Sequence, residues 1–279
     1  MELLGSTLGQ PVSTHFNLQT GRSTVTVYLP NKPAKPRKIR QTLLAGLKEI
    51  RRCGLKTGSG RVALVKMRGE DWAESWKRHF RPIEIGDRLL IKPSWSKRRA
   101  RKNQAVVVLD PGLSFGTGQH PTTEFCLQEL ARGGSFGAHR SFLDIGTGSG
   151  ILAIAAAKLG YAPVHAFDFD PEAVRVARAN ARANGVQKRL RISRGDVAKL
   201  QNRPARRYDL ICANLISTLL ISERKRIVNR LQRDGTLVLA GILKSEFSRI
   251  REAFAKSGLK LAASNTRNEW RSGSFCFAK

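Results

Sequence analysis

From Phe142 to Ala156 the sequence reads Phe-Leu-Asp-Ile-Gly-Thr-Gly-Ser-Gly-Ile-Leu-Ala-Ile-Ala-Ala, and no other stretch restricts the fold as strongly. Phe142–Ile145 is a mainly apolar run of buried-strand length. Gly146, Gly148 and Gly150 then alternate, and the Ala-, Leu- and Ile-rich continuation has helical character. Strand, glycine turn and helix set a side-chain-free floor beside a helix N-terminus. That is where α/β sheets bind ligands, outside the carboxyl ends of their strands.

The spacing narrows the ligand. Dinucleotide folds use G-x-G-x-x-G to hold a pyrophosphate on bare backbone N–H groups. Here the pattern is G-x-G-x-G, and Asp144 stands two residues before its first glycine. A carboxylate there suits a cationic ligand better than a phosphate. A second acid, Asp168, ends the next apolar run, Val164-His-Ala-Phe167, where a carboxylate can accept from two ribose hydroxyls. A nucleoside with a positive centre and no phosphate is S-adenosylmethionine, which points to methyl transfer. A turn that only reverses the chain and a dehydrogenase site fit the pattern less well.

A chain of 279 residues holds one large α/β domain plus a smaller one, and 41% apolar content provides for a core. Cys53, Cys126, Cys212 and Cys276 show no metal or disulfide spacing and suit a reducing compartment. The start lacks a basic, apolar signal pattern, and no apolar run approaches the roughly 20 residues of a membrane span, so a soluble cytoplasmic protein is expected. The net charge is +29. Residues 1–105 carry 23 Lys and Arg against 7 Asp and Glu, and the remainder 27 against 14, so the excess is no simple tail. Such a field favours polyanions, with RNA or the ribosome surface foremost; a general arginine bias that aids solubility is the competing explanation.

In chain order, residues 1–22 read as a loose arm and Thr24–Leu29 as a strand. Pro30–Arg40 reads as an exposed connector, Gln41–Arg52 as an amphipathic helix, and Arg61–Met67 as a strand. Residues 1–69 thus read as a small α+β domain, either complete or truncated. Residues 70–104 are a linker helix and basic connector. In that segment Trp72, Trp76 and Phe80 share a helical stripe better suited to packing than to nucleic acid. Residues 105–279 alternate strand and helix, which implies a mostly parallel, doubly wound sheet. Within them, helices are expected at Glu124–Ala131, with Thr122 or Thr123 as N-cap, and as one unbroken helix over Leu215–Leu231. A loop of fourteen residues, Asp110–Thr123, holds three glycines, a His and two closing threonines, more than a turn requires.

Several stretches resemble the PrmA-type lysine methyltransferases of ribosomal protein L11. They are Glu70-Asp-Trp, Trp76-Lys, Phe80-Arg-Pro-Ile, Ile85-Gly-Asp, Pro93-Ser-Trp, Asp110-Pro-Gly, Phe115-Gly-Thr-Gly-Gln-His-Pro-Thr-Thr123, the glycine stretch, Phe167-Asp-Phe-Asp-Pro171, Ala213-Asn-Leu-Ile216 and Ala240-Gly-Ile-Leu243. They run in family order over residues 70–279. The Phe115–Thr123 string is specific to that family, whereas the glycine and acid motifs mark only the class I methyltransferase superfamily.

The resemblance implies a seven-stranded sheet with an antiparallel final hairpin, an S-adenosylmethionine cofactor and a ribosomal protein substrate. By position, Thr123, Gly146, Asp168 and Asn214 would line the cofactor site, with Phe115 and His120 in a loop closing over it. Asp144 and Gly148 belong to the same floor, and Asp196, after the third strand, is placed to meet the adenine amine. Asn214, just past the fourth strand, is the candidate catalytic residue, offering its side-chain or backbone carbonyl to an incoming amine; a helix N-cap is its other reading. The family's amino-terminal domain is a fuller βαββαβ unit than this chain shows. Two rivals follow from the charge: an RNA methyltransferase, and a ribosome-associated factor with a vestigial cofactor fold. Asn214-Leu-Ile-Ser217 lacks the Pro-Pro-Tyr of base N-methylases, which counts against the first.

Overall fold

The computed structural model describes residues 8, 12–17, 22–27, 29, 36–52, 57–65, 81–110, 120–133 and 140–278. The chain divides into two compact units, Met1–Lys77 and Arg78–Lys279.

In the first unit, β1 (Val12–Asn17) pairs antiparallel with β2 (Arg22–Val27), in register from Val12↔Val27 to Asn17↔Arg22. The expected loose arm therefore contains a strand. Helix α1 spans Pro36–Arg52, so its first turn takes in the end of the expected connector. Pro36 is compatible with that place, since a first-turn N–H has no intrahelical partner. Leu43 is buried. Arg51 ties the helix end to the following turn, donating from Nε to Thr57 Oγ1 (2.6 Å) and from a terminal nitrogen to the Gly58 carbonyl (3.1 Å). Residues 61–65 are not the expected strand. They pair with no other strand among the described residues, and Val65 is 78% exposed. Residues 66–80, including the Trp72, Trp76 and Phe80 stripe, lie outside the described residues.

The second unit opens with a three-stranded sheet. In it β3 (Ile83–Ile85) and β4 (Leu89–Lys92) pair antiparallel, and β4 and β5 (Ala105–Val108) pair parallel. Helix α2 (Pro121–Gly133) follows. The remaining elements alternate: β6 (Phe142–Ile145), α3 (Ile151–Lys158), β7 (Val164–Asp168), α4 (Pro171–Ala183), β8 (Leu190–Arg194), a 3-10 turn (Val197–Lys199) and β9 (Tyr208–Asn214). After them come α5 (Ser217–Ser222), α6 (Arg224–Val228), β10 (Leu231–Ala240), α7 (Phe247–Ala255), β11 (Leu259–Arg267) and β12 (Trp270–Phe277).

The large sheet has the order β11-β12-β10-β9-β6-β7-β8. Strands β6 to β10 run parallel, and β12 is inserted antiparallel between β10 and β11. Both faces are covered, so the central strands read as apolar runs instead of alternating. Phe142, Leu210, Cys212, Val238 and Ala240 enter the core shared with α2, α3 and α4. Leu143, Ile145, Ile211, Ala213, Leu237 and Leu239 enter the opposite core, with Phe247, Ile250 and Phe254 of α7. Helix α3 is buried from Ile151 to Ala157, which explains why it carries no polar face.

The expected helix 215–231 is instead two short ones, α5 and α6. Ser222 Oγ bonds back to the Leu219 carbonyl (3.1 Å), a contact that competes with the helical ladder where the first helix ends. The strand after them starts at Leu231, earlier than Gly235, and its register with β9 shifts between Leu231 and Thr236. Strand order reverses between β6 and β9, which makes their carboxyl ends the switch point of the sheet.

Candidate functional site

The β6–α3 turn sits at that switch point. Gly146, Gly148 and Gly150 all have positive φ (75°, 53° and 83°). A Cβ on Gly150 would also stand 3.0 Å from Ala177 of α4, so both the backbone and the α3–α4 packing require glycine there. The turn is strapped to β7: the Gly146 and Thr147 N–H groups donate to the Phe167 carbonyl (3.0 and 3.1 Å). Gly148 N–H donates to Asp168 Oδ2 (2.8 Å), and Asp170 N–H donates to Asp168 Oδ1 (3.0 Å). Asp168 is half-buried, and each oxygen keeps an accepting position for a hydroxyl. Its carbonyl accepts from Gly195 N–H (2.9 Å), which brings the end of β8 alongside. Asp196 lies there, half-buried and accepting from Ala198 N–H (2.9 Å).

Asp144 is fully buried on β6. Its Oδ2 accepts from Thr147 Oγ1 (2.6 Å), while Oδ1 has no hydrogen-bond partner among the described residues. Burial pushes its pKa up to about 7, and the Asp168 charge adds to the rise. The Thr147 hydroxyl and the Ala153 N–H oppose it. An orphaned buried carboxylate oxygen costs on the order of 1–3 kcal/mol or more, and a donor brought by a ligand would recover that.

Across the switch point, Asn214 ends β9 half-buried, and its side-chain amide makes no hydrogen bond among the described residues. It does not cap the next helix, whose N-cap is Ile216. Leu215 N–H donates to the Ala240 carbonyl (3.1 Å), holding the ends of β9 and β10 together. Glycine is required on both sides of this corner. A Cβ on Gly146 would lie 2.6 Å from Leu215 Cδ2. One on Gly241 (φ 79°) would lie 2.7 Å from the Leu215 carbonyl oxygen and 3.0 Å from Asn214 Oδ1.

The expected helix after the long loop begins at Pro121, so Thr122 and Thr123 lie inside its first turn instead of capping it. Both are buried, and Thr123 Oγ1 has no partner among the described residues. Thr122 Oγ1 bonds His120 Nδ1 (2.7 Å), and the His120 ring meets Trp270 edge-on at 5.0 Å. Burial holds the His120 pKa below its usual value, partly offset by Glu269. Trp270 in turn bridges to Leu243 just beyond β10. Arg267 of the β11–β12 hairpin forms an ion pair with Glu124 of α2. Residues 111–119, and Phe115 with them, lie outside the described residues.

A contiguous rim therefore runs from Asp196 through Asp168, Gly148 and Gly146 to Asn214 and Gly241. A second group, His120 with Trp270 and Leu243, flanks its far end. The family model of the ribosomal protein L11 methyltransferase (PrmA) matches residues 16–276. The chain belongs to the PrmA family. A family relative from Alkaliphilus oremlandii, named ribosomal protein L11 methyltransferase, is 36% identical over 245 residues, covering 87% of this chain and 76% of that one. One of the same name from Trichlorobacter lovleyi is 44% identical over 206 residues, 72% of this chain and 66% of that one. The solved structure of a ribosomal protein L11 methylase from Lactobacillus delbrueckii subsp. bulgaricus superimposes with a TM-score of 0.64. It is 29% identical and is matched along its whole length, over 72% of this chain. The seven-stranded class I methyltransferase fold anticipated from the sequence is the fold of this PrmA relative.

Sequence reasoning did not single out Trp270, Leu215 or Gly241 as parts of this site. Gly241 lies within the Ala240–Leu243 match to the family, a signal that was available. Trp270 opens the second strand of a terminal hairpin, and nothing local ties it to His120.

Proposed function

We propose that this methyltransferase transfers a methyl group from S-adenosylmethionine to amino nitrogens, of lysine foremost, on a ribosomal protein of the L11 type, in the cytoplasm. The observation that carries the reading is the match to the PrmA family along residues 16–276. The rim suits the cofactor: Asp144 Oδ1 and Thr123 Oγ1 are buried acceptors without donors, and a carboxylate environment favours an ammonium and a sulfonium over a phosphate. Asp168 would accept from the ribose hydroxyls and Asp196 from the adenine amine, with Gly146 and Gly148 leaving room for the ligand. The bound cofactor supplies an electrophilic methyl carbon on a positive sulfur.

The remaining work falls to the protein. Asn214 presents an unengaged carbonyl to the incoming amine, fixing its lone pair toward the methyl. Ile216 (66% exposed) and Leu243 (38% exposed) supply apolar surface beside it for the methylene stem of a lysine. Removing the amine from water lowers its pKa and favours the neutral nucleophile. Alignment then provides most of the acceleration, since a sulfonium leaves without protonation.

The test is transfer of labelled methyl to isolated L11 and, in parallel, to protein-free ribosomal RNA. Label in L11 alone is expected. Label in RNA alone would overturn the acceptor assignment.

A further inference from the structure

We propose that the arginine-lined groove between α4 and the edge strand β8 is a docking surface for the phosphate backbone of RNA. Arg175, Arg178 and Arg182 are exposed on α4 at spacings of three and four residues, one helical stripe about 10 Å long. With Arg194 of β8 they line a groove of about 390 Å³ floored by Pro171 and Val174. Arg178 and Arg182 also line a continuation of about 340 Å³ with Arg191 and Gln187. The groove thus follows β8 along its length, from Arg194 at the carboxyl end toward Leu190.

Charge balance separates this patch from an ordinary solvated surface. Of the groove's arginines, only Arg175 has an acidic partner among the described residues, Glu172 (2.5 and 2.7 Å). Arg178 donates to the Ile192 carbonyl (2.8 and 3.3 Å) and Arg194 to the Phe169 carbonyl (3.3 Å), which orient their guanidinium groups and leave their charges uncompensated. Arg182 and Arg191 make no hydrogen bond or ion pair among the described residues. Planar guanidinium forks match phosphate oxygens in pairs. The stripe is long enough for about two to three successive phosphates of one strand. An anionic membrane surface suits the groove less well, because membrane-surface helices combine basic residues with exposed large apolar ones. Among the described residues, none of the exposed large apolar side chains lines this groove. The choice of RNA over DNA rests on the reading that the acceptor is a ribosomal protein.

The simplest alternative is that these arginines only guard an open sheet edge against pairing with another chain. The variant Arg175→Gln/Arg182→Gln/Arg191→Gln decides between them, because it leaves the backbone-bonded Arg178 and Arg194 in place. A variant with equal net charge, Arg249→Gln/Arg251→Gln/Lys256→Gln on and beside α7, is the control. Binding of a labelled single-stranded RNA is followed by anisotropy over a KCl titration.

The groove variant is expected to lose affinity at least about tenfold at about 0.1 M KCl. The slope of log affinity against log salt should flatten by about 2, while the control changes little. Equal losses in both variants, or none in the groove variant, would overturn the proposal. So would self-association of the groove variant with unchanged RNA affinity, or arginine-dependent binding to phosphatidylglycerol vesicles or duplex DNA in place of RNA. Methyl transfer to isolated L11 is measured on the same samples and should be unchanged by the groove substitutions. If the unsubstituted protein transfers nothing to L11 yet binds RNA through these arginines, the groove stands and the L11 reading falls.

Discussion

Two neighbouring regions, the rim at the carboxyl ends of β7 and β8 and the groove between α4 and β8, carry opposite charge, and helix α4 belongs to both. At its amino end the rim concentrates carboxylates, Asp144, Asp168, Asp170 and Asp196, with Glu172 beside them. Along its outer stripe the same helix carries Arg175, Arg178 and Arg182. In a protein of net charge +29, a cluster of acids stands against the prevailing field. The contrast teaches that net charge describes encounter at the surface, whereas the sign at each site follows its own ligand, a cation at the rim and a polyanion in the groove.

The sharpest way to separate the two regions is through pH. Asp144 has its folded pKa raised from an ordinary aspartate value to about 7, so the folded state holds this proton more tightly than the unfolded chain. Its contribution to stability is fully present below about pH 4 and is lost as pH rises through about 7. The loss is on the order of 4 kcal/mol. Urea unfolding of the ligand-free protein should show this decline between about pH 4 and about pH 7, the interval between the unfolded and folded values, and Asp144→Asn should remove it. Cofactor affinity in the unsubstituted protein should rise over the same interval. A stability profile that Asp144→Asn leaves unaltered would mean that the rim is not tuned for a cation.

Asp168→Ala breaks the rim from the ribose side. It removes the acceptor proposed for two ribose hydroxyls and releases the Gly148 N–H that shapes the turn. Affinity for S-adenosylhomocysteine, measured by calorimetry, should fall about a hundredfold, roughly 2.7 kcal/mol. RNA affinity should not change, and a parallel loss would show that the two regions are one.

Asn214→Ala probes the chemistry with little change in charge or packing. The turnover number for methyl transfer should drop about ten- to thirtyfold, with cofactor affinity within about twofold, because the proposed interaction is with the acceptor amine. Equal weakening of cofactor binding would move Asn214 from the acceptor side to the cofactor side.

The acid rim was largely legible in the sequence, because its parts are local. Asp144 precedes its own glycine turn, and Asp168 ends the strand next to it in the chain. Apolar runs such as Phe142–Ile145 and Tyr208–Ala213 announced strands because both faces of the sheet are covered. The less legible parts depend on partners far away in sequence. The Leu215–Gly241 corner and the His120–Trp270 contact exist only once β9, β10 and β12 are neighbours. In the first unit, Val12, Thr14 and Phe16 alternate as a strand should, and the polar residues around them concealed it. Arg61–Met67 shows the reverse: an apolar run whose described residues, 61–65, pair with no strand among the described residues. The groove was visible only as an unlocated excess of charge, since composition cannot say that a stripe on α4 faces Arg194 of β8.

The smallest expected effect acts where the two regions meet. Glu172 stands in the first turn of α4, beside the acid rim, and its carboxylate holds Arg175 away from full availability in the groove. Both side chains are well exposed, so the pair contributes little to folding, and Glu172→Gln should leave the unfolding midpoint unchanged. The substitution frees one guanidinium for phosphate and removes one like-charged group from its vicinity. RNA affinity should therefore rise about two- to threefold, with a salt slope steeper by about 0.7 if one further phosphate is engaged. Asp170, the N-cap of α4, still bonds the residue 172 N–H in the variant, so the helix start and the adjoining cofactor rim keep their geometry. S-adenosylhomocysteine affinity should accordingly stay constant. A gain in RNA affinity without any change at the rim would place the boundary between the two regions within the first turn of one helix. A joint change would show that the helix transmits charge from one to the other.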